Sequence, residues 1–125
     1  MVATVDAANN RPESAVIAFA QTENLELIFD TSNLTRKYKN LQNNQNVSFV
    51  IGWDESTGTI QYEGVARELS REEGQNYAQI LIEKNPFSKM FAERPDQRYF
   101  LVVPTWLRFT DMSRKPQHTT EINFT

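Results

Sequence analysis

The segment FDTSNLTRKYKNL, from Phe29 to Leu41, carries the most informative pattern in the sequence. It leads from an apolar strand into a helix, because Leu34, Tyr38 and Leu41 recur at helical spacing. We therefore predict a short helix over residues 35–42. Hydroxyl and cationic side chains gather at the corner between strand and helix: Thr31, Ser32, Thr35, Arg36 and Lys37.

The two cations of this corner stand in the first helical turn, where the partial positive charge of the helix N-terminus disfavours them. A bound anion would offset that cost, since unpaired amides, the hydroxyls of Thr31 and Thr35, and the charges of Arg36 and Lys37 could all donate to it. The corner is therefore either a phosphate site or an ordinary Thr-capped helix with two solvated bases. From the corner alone, both interpretations are equally supported.

The rest of the chain indicates one small β-rich domain spanning residues 1–125. An S-x-x-E capping box at Ser70 and Glu73 predicts a helix that runs to about Lys84. Beyond residue 112 the polar tail is expected to be irregular or to pack on a partner. The remaining pattern predicts strands over 2–6, 14–21, 25–30, 47–53, 59–69 and 99–112. Six strands with two inserted helices favour a small antiparallel barrel.

Composition excludes several classes of function. The chain has no cysteine, so disulfides and thiolate catalysis are ruled out. Its one histidine, His118, stands in a polar segment, which disfavours a metal site or a Ser-His-Asp triad, and we expect no metal. A net charge of -3 argues against nucleic-acid binding. Neither a signal peptide nor an apolar run of about 20 residues is present, so we expect a cytoplasmic protein that does not span a membrane.

From Ser14 to Leu69 the motifs follow one another in a recognisable order. The strand end and helix start F-x-T-S-x-x-T-R-K precede N-V-S-F-V-I-G-W, which a turn separates from T-I-Q-Y-E-G-V-A. This set resembles the pyridoxamine 5′-phosphate oxidase-like family of split β-barrels that bind flavin mononucleotide (FMN). The family typically shows a Phe-Tyr-Thr-Asn-like strand end, a Ser-Arg-Lys helix start, a V-S-L…W strand and an E-G strand at the same spacings. The resemblance implies a mainly β fold with inserted helices, a six-stranded antiparallel split β-barrel of the FMN-binding type.

The resemblance also implies a homodimer with FMN bound at the subunit interface. The strand from Ala15 would run beside the isoalloxazine ring, and the corner would hold the ribityl phosphate. Thr59 stands where vitamin B6 oxidases often carry a Gln that reaches the flavin, and Gln61 lies on the same strand face. The implied cofactor-binding residues are Ala15, Val16, Ile17, Asp30, Thr31, Ser32, Thr35, Arg36, Lys37, Thr59 and Gln61.

The resemblance is closest to the short, general members of the family. The vitamin B6 oxidases carry an Arg and a Lys at the ends of the strand that matches Ala15–Ala20, and this chain has Ala at both places. It therefore implies a flavin-dependent oxidoreductase with an unknown small-molecule substrate, and it identifies no catalytic residue. The alternative is a non-catalytic module that binds FMN or another flat cofactor, such as haem or a deazaflavin.

Overall fold

A computed structural model describes residues 1–124, in which eight antiparallel strands form one sheet. The strands are β1 (Val2–Asp6), β2 (Arg11–Ala15), β3 (Ala20–Gln21), β4 (Leu27–Ser32), β5 (Asn46–Asp54), β6 (Gly58–Glu68), β7 (Gln97–Asp111) and β8 (His118–Asn123). The helices are α1 (Arg36–Asn43), α2 (Arg71–Lys84) and α3 (Lys89–Ala92), with a 3₁₀ turn at Pro86–Ser88. The expectation of a mainly β, antiparallel fold with inserted helices is confirmed.

The strand order along the sheet is β2-β1-β5-β6-β7-β4-β3, with β8 paired to β7 beside this path. The sheet is not closed, and its eight strands exceed the six that we predicted. Two sequence patterns account for the difference.

The apolar run over residues 14–21 is not one strand. It ends as β2 at Ala15 and resumes as β3 at Ala20. Because β2 and β3 lie at opposite edges of the sheet, residues 16–19 must cross between those edges. Ile17 and Phe19 pack against the core during this crossing, whereas Val16 is 87% exposed. We call residues 16–19 the crossing segment.

The polar tail, predicted to be irregular or to pack on a partner, forms β8. Strand β4 pairs with β7 only as far as Val102, which leaves one edge of the second half of β7 without a partner. Strand β8 takes that edge, from Trp106 opposite Asn123 to Asp111 opposite His118. The tail is therefore ordered by a free strand edge and not by apolar patterning.

Aromatic packing holds the interior of the sheet together. Phe29 stacks on Phe100 with ring centroids 5.2 Å apart, and Phe49 meets Tyr62 edge-on at 5.8 Å. The Tyr62 hydroxyl is buried and donates to the Leu25 carbonyl at 2.8 Å, so its polar end is satisfied. A second apolar cluster lies under α2: Ala20, Ile28, Leu69, Leu81 and Leu101. Strand β4 is thus covered on both faces, which fixes the position of the corner that follows it.

Both long helices begin at the predicted caps. The Thr35 hydroxyl accepts from the Tyr38 amide at 3.2 Å at the start of α1. At the start of α2, Ser70 and Glu73 form the reciprocal capping box. None of the helices in residues 1–124 has the length and apolar character needed to cross a membrane.

Candidate functional site at the β4–α1 corner

A directed chain of hydrogen bonds runs through the corner between β4 and α1. The Lys37 ammonium donates to Thr31 Oγ1 at 3.1 Å, and Thr31 Oγ1 lies 3.0 Å from Thr35 Oγ1. Thr35 donates its own proton to the Ser32 carbonyl at 3.0 Å. Thr31 must therefore donate to Thr35, and both hydroxyl protons are already in use. The Thr31 and Thr35 hydroxyls therefore orient the Lys37 ammonium but have no proton left for a ligand. The ammonium still has N–H donors that this chain of hydrogen bonds does not use.

Lys37 is half-buried, and it has no acidic partner among residues 1–124. No carboxylate of residues 1–124 lies within 4.0 Å of its nitrogen. Burial lowers the pKa of Lys37, and the negative charge of Asp30 opposes that shift only in part. An ammonium has three donors, and in the described chain only the Thr31 hydroxyl accepts from this one. The side chain is thus a partly desolvated cation with donors to spare.

Backbone amides add to these donors. The first backbone hydrogen bond of α1 joins the Lys39 amide to the Thr35 carbonyl at 3.3 Å, and Thr35 caps the Tyr38 amide. The amides of Arg36 and Lys37 precede both bonds, so the helix gives them no acceptor. The first turn contains no acidic residue. This end of α1 therefore presents amide donors next to the Lys37 ammonium.

The second base of the corner is engaged elsewhere. The Arg36 guanidinium forms an ion pair with Glu13 on β2 at 2.8 Å. The other oxygen of Glu13 accepts from Asn40 at 2.8 Å, and Asn40 also donates to Thr4 at 2.9 Å. From the sequence pattern we predicted that Arg36 and Lys37 bind one anion together. The structure pairs Arg36 with Glu13, and among residues 1–124 it gives Lys37 no ion pair within 4.0 Å.

Asp30 and Ser32 connect the corner to the start of β7. Gln97 donates to Asp30 Oδ2 at 2.6 Å, and Ser32 donates to Asp96 Oδ2 at 2.6 Å. Burial raises the pKa of Asp30, while the hydrogen bond from Gln97 and the charge of Lys37 act in the opposite direction. These bonds hold β4 in place, and they occupy polar atoms that the sequence pattern assigned to a ligand.

Two cavities meet at Lys37. One of about 240 Å³ lies between the crossing segment and the turn before α3, and one of about 190 Å³ lies between β2 and α1. The first is lined by Val16, Ile17, Ala18, Asp30, Ser32, Lys37, Phe87, Ser88, Phe91, Arg94 and Gln97. The second is lined by Val2, Glu13, Ser14, Ala15, Thr35, Arg36 and Lys37. The structure thus brings nine of the eleven sequence-derived site residues to one corner.

The other two residues, Thr59 and Gln61, lie elsewhere on the sheet. Thr31 is opposite Arg98 on β7, whereas Gln61 is opposite Arg108, ten residues further along the same strand. Across the other strands the route is shorter: Val2, which lines the second cavity, pairs with Phe49, and Phe49 pairs with Tyr62, the neighbour of Gln61. Thr59 and Gln61 nevertheless line neither of the two cavities at Lys37.

Sequence reasoning missed Glu13, Asn40 and Gln97. Glu13 stands 27 positions from Asn40, and Gln97 stands 67 positions from Asp30. Local spacing carries no signal for contacts this distant. As for metals, residues 1–124 contain no group of three or more His, Asp or Glu side chains arranged to hold an ion.

A protein-family model described as pyridoxamine 5′-phosphate oxidase matches residues 1–111. The chain belongs to this family. The family membership inferred from the sequence motifs is thereby confirmed. Among curated proteins, a sequence search finds no match.

Several solved structures share this fold at low sequence identity. A pyridoxamine 5′-phosphate oxidase-related, FMN-binding protein from Nostoc punctiforme superposes with a TM-score of 0.72 at 15% identity, covering 99% of this chain and 85% of its own. The haem storage protein HutZ from Vibrio cholerae gives 0.71 at 23%, covering 82% and 78%. PhzG from Burkholderia lata, in complex with tetrahydrophenazine-1-carboxylic acid, gives 0.71 at 18%, covering 98% and 80%. These three neighbours share one fold, and their names give three different ligands.

Proposed function

We propose that this protein is an FMN-binding flavoprotein and a flavin-dependent oxidoreductase acting on a small molecule. The observation that carries the proposal is the Lys37 ammonium, half-buried, oriented by Thr31, and without a carboxylate partner in residues 1–124. Holding a cation in such a place costs solvation, and a bound phosphate would offset that cost.

The residues of the corner fit a phosphate group. Lys37 and the amides of Arg36 and Lys37 would donate to its oxygens, while Thr31 and Thr35 hold the ammonium in position. Arg36 would add a second charge on giving up Glu13. Asp30 and Ser32 would define the wall of the cavity next to the phosphate. The corner would in this way anchor one end of the cofactor.

The end of β2 and the crossing segment would flank the flat part of the cofactor. Ala15, Val16 and Ile17 line the two cavities on either side of Lys37, and they offer apolar surface and backbone without charge. Once bound, FMN supplies hydride-transfer chemistry that side chains lack. The task left to this chain is to orient the ring, exclude water and leave one ring face open to a substrate.

We further propose that the protein is a homodimer in which the second copy brings Thr59 and Gln61 to the cofactor. Neither residue lines a cavity at the Lys37 corner of its own chain, which supports this arrangement. Large apolar side chains are also exposed on the strands near them, with Trp53 at 75% and Val50 at 51%. A dimer would cover this surface.

A non-catalytic module for FMN, haem or a deazaflavin is the second candidate. The observation that favours it is the absence of histidine and tyrosine among the residues lining the two cavities, since these are common proton donors and acceptors in enzymes. A haem carboxylate could also pair with Lys37. The module would therefore use the same anion site as the oxidoreductase, but it would catalyse no reaction.

Measurements of flavin affinity and of turnover separate these two functions. The flavoprotein proposal expects the purified protein to bind FMN more tightly than riboflavin, which lacks the phosphate. Oxidation of a reduced nicotinamide by the FMN-loaded protein, above the rate of free FMN, would support the oxidoreductase. FMN binding without any such turnover would favour the module. Equal affinity for FMN and riboflavin would contradict a phosphate site.

A further inference from the structure

The Glu13 carboxylate contacts α1 at two positions one helical turn apart. Its Oε1 accepts from Asn40 at 2.8 Å, and its Oε2 forms an ion pair with Arg36 Nη1 at 2.8 Å. Residues four apart lie on the same face of a helix, so one carboxylate can reach both. Glu13 thus joins β2 to α1 beside the cavity that it shares with Thr35 and Lys37.

These two contacts differ in how readily they can be broken. Asn40 is buried and donates to Thr4 as well, which fixes the position of Glu13. The Arg36 side chain is 78% exposed, whereas that of Glu13 is only 17% exposed. An exposed guanidinium gains little from an ion pair and exchanges partners easily. Glu13 is therefore the fixed member of the pair, and Arg36 is the member able to leave.

We propose that Glu13 is an internal counterion that competes with a bound phosphate for Arg36 and so sets the affinity of the corner for phosphate monoesters. The proposal rests on the function proposed above. Because Asn40 keeps Glu13 in place, its negative charge remains near the anion even after Arg36 has exchanged partners. Glu13 therefore opposes the binding that Lys37 promotes, and it acts as a positioning residue for Arg36.

Glu13→Gln removes the charge and keeps the acceptor for Asn40. We expect the variant to bind FMN about fivefold more tightly, the size of effect typical of one exposed ion pair. Riboflavin affinity should not change, and added salt should reduce the gain for FMN. In an Arg36→Gln background the same substitution should give a smaller gain. Weaker FMN binding by Glu13→Gln would overturn the proposal, as would equal changes for FMN and riboflavin.

Inorganic phosphate tests Glu13 without any flavin. At matched ionic strength, phosphate should raise the Tm of Glu13→Gln more than that of the wild type, relative to chloride. If the wild type binds no flavin, the flavoprotein proposal fails, and this comparison decides the Glu13 proposal by itself. Equal Tm shifts would overturn it.

A further variant leaves Glu13 untouched. Arg36→Gln should cost less FMN affinity than Lys37→Met, since Glu13 already offsets the charge of Arg36. An equal loss in both variants would contradict the competition.

Discussion

Replacing Lys37 by Met tests whether the corner binds a phosphate. Methionine has similar length and no charge, so the variant loses the ammonium donors and keeps most of the packing. One charge-assisted hydrogen bond contributes about 1.5–3 kcal/mol, which corresponds to a roughly ten- to hundredfold weaker affinity for FMN. Riboflavin has no phosphate, and its affinity should stay within about twofold of the wild-type value.

The assay is a titration of flavin fluorescence with wild type, Lys37→Met and Lys39→Met. Lys39 is exposed on the same short helix, two residues further on, and controls for the loss of one positive charge. The reasoning is refuted if Lys37→Met weakens riboflavin as much as FMN, or if Lys39→Met has as large an effect as Lys37→Met. In the first case the corner would be a structural element. In the second case, the loss of one positive charge from the helix, at either position, would explain the weaker binding.

Unfolding of the same variant separates binding from stability. Burial lowers the pKa of Lys37, so in the folded chain the charged form is disfavoured. Removing it should relieve that cost and offset the loss of the Thr31 hydrogen bond, a contribution of about 1 kcal/mol. The ligand-free variant should therefore unfold in urea within about 1 kcal/mol of wild type. A much larger loss would show that Lys37 is needed for folding.

Three further results are expected. Asp30→Asn should raise the free energy of unfolding at pH 7, because burial raises the pKa of Asp30 and disfavours its ionised form. This gain should shrink as the pH falls towards 3.8, the pKa of Asp30 in the unfolded chain. An equal gain at pH 7 and pH 4.5 would contradict this reasoning. Gly64→Ala should destabilise the fold by about 2 kcal/mol or more, since a Cβ there would lie 2.6 Å from the Val103 carbonyl oxygen. In its control, Gly74→Ala, the nearest contact of the Cβ would be the Tyr99 side chain at 3.3 Å, so this variant should cost much less; thermal unfolding of both variants makes the comparison. Sedimentation equilibrium should give a dimer mass, and a monomer at all concentrations would exclude the shared site.

Local features of the fold were predictable from sequence. One such feature is the corner, where β4 ends, Thr35 caps the helix and α1 begins within a few consecutive residues. The residue types at these positions are enough to predict the turn and the start of the helix. Gly64 is a second case: the register of β6 against β7 shifts between Glu63 and Gly64, and a glycine within a strand pattern signals such a bulge or a close backbone approach. Such elements depend on neighbours in the chain, so the pattern contains them.

Features that depend on distant strands were not predictable. The apolar run over residues 14–21 has strand composition, but its path is set by the separation of β2 and β3 at opposite sheet edges. Strand β8 is polar apart from Ile122, and it forms because β7 offers a free edge. At the site, the pattern identified the two bases but not the Glu13 carboxylate, which stands 23 positions before Arg36 in the sequence. The charge balance of the corner is a property of the tertiary structure.

A crystal structure of the protein grown with FMN tests the central claim most directly. We expect the phosphate within hydrogen-bond distance of the Lys37 ammonium and of the Arg36 and Lys37 amides, with the ring beside the crossing segment. Arg36 should have turned from Glu13 towards the phosphate. FMN bound at another surface, with Lys37 still directed only to Thr31, would contradict the account.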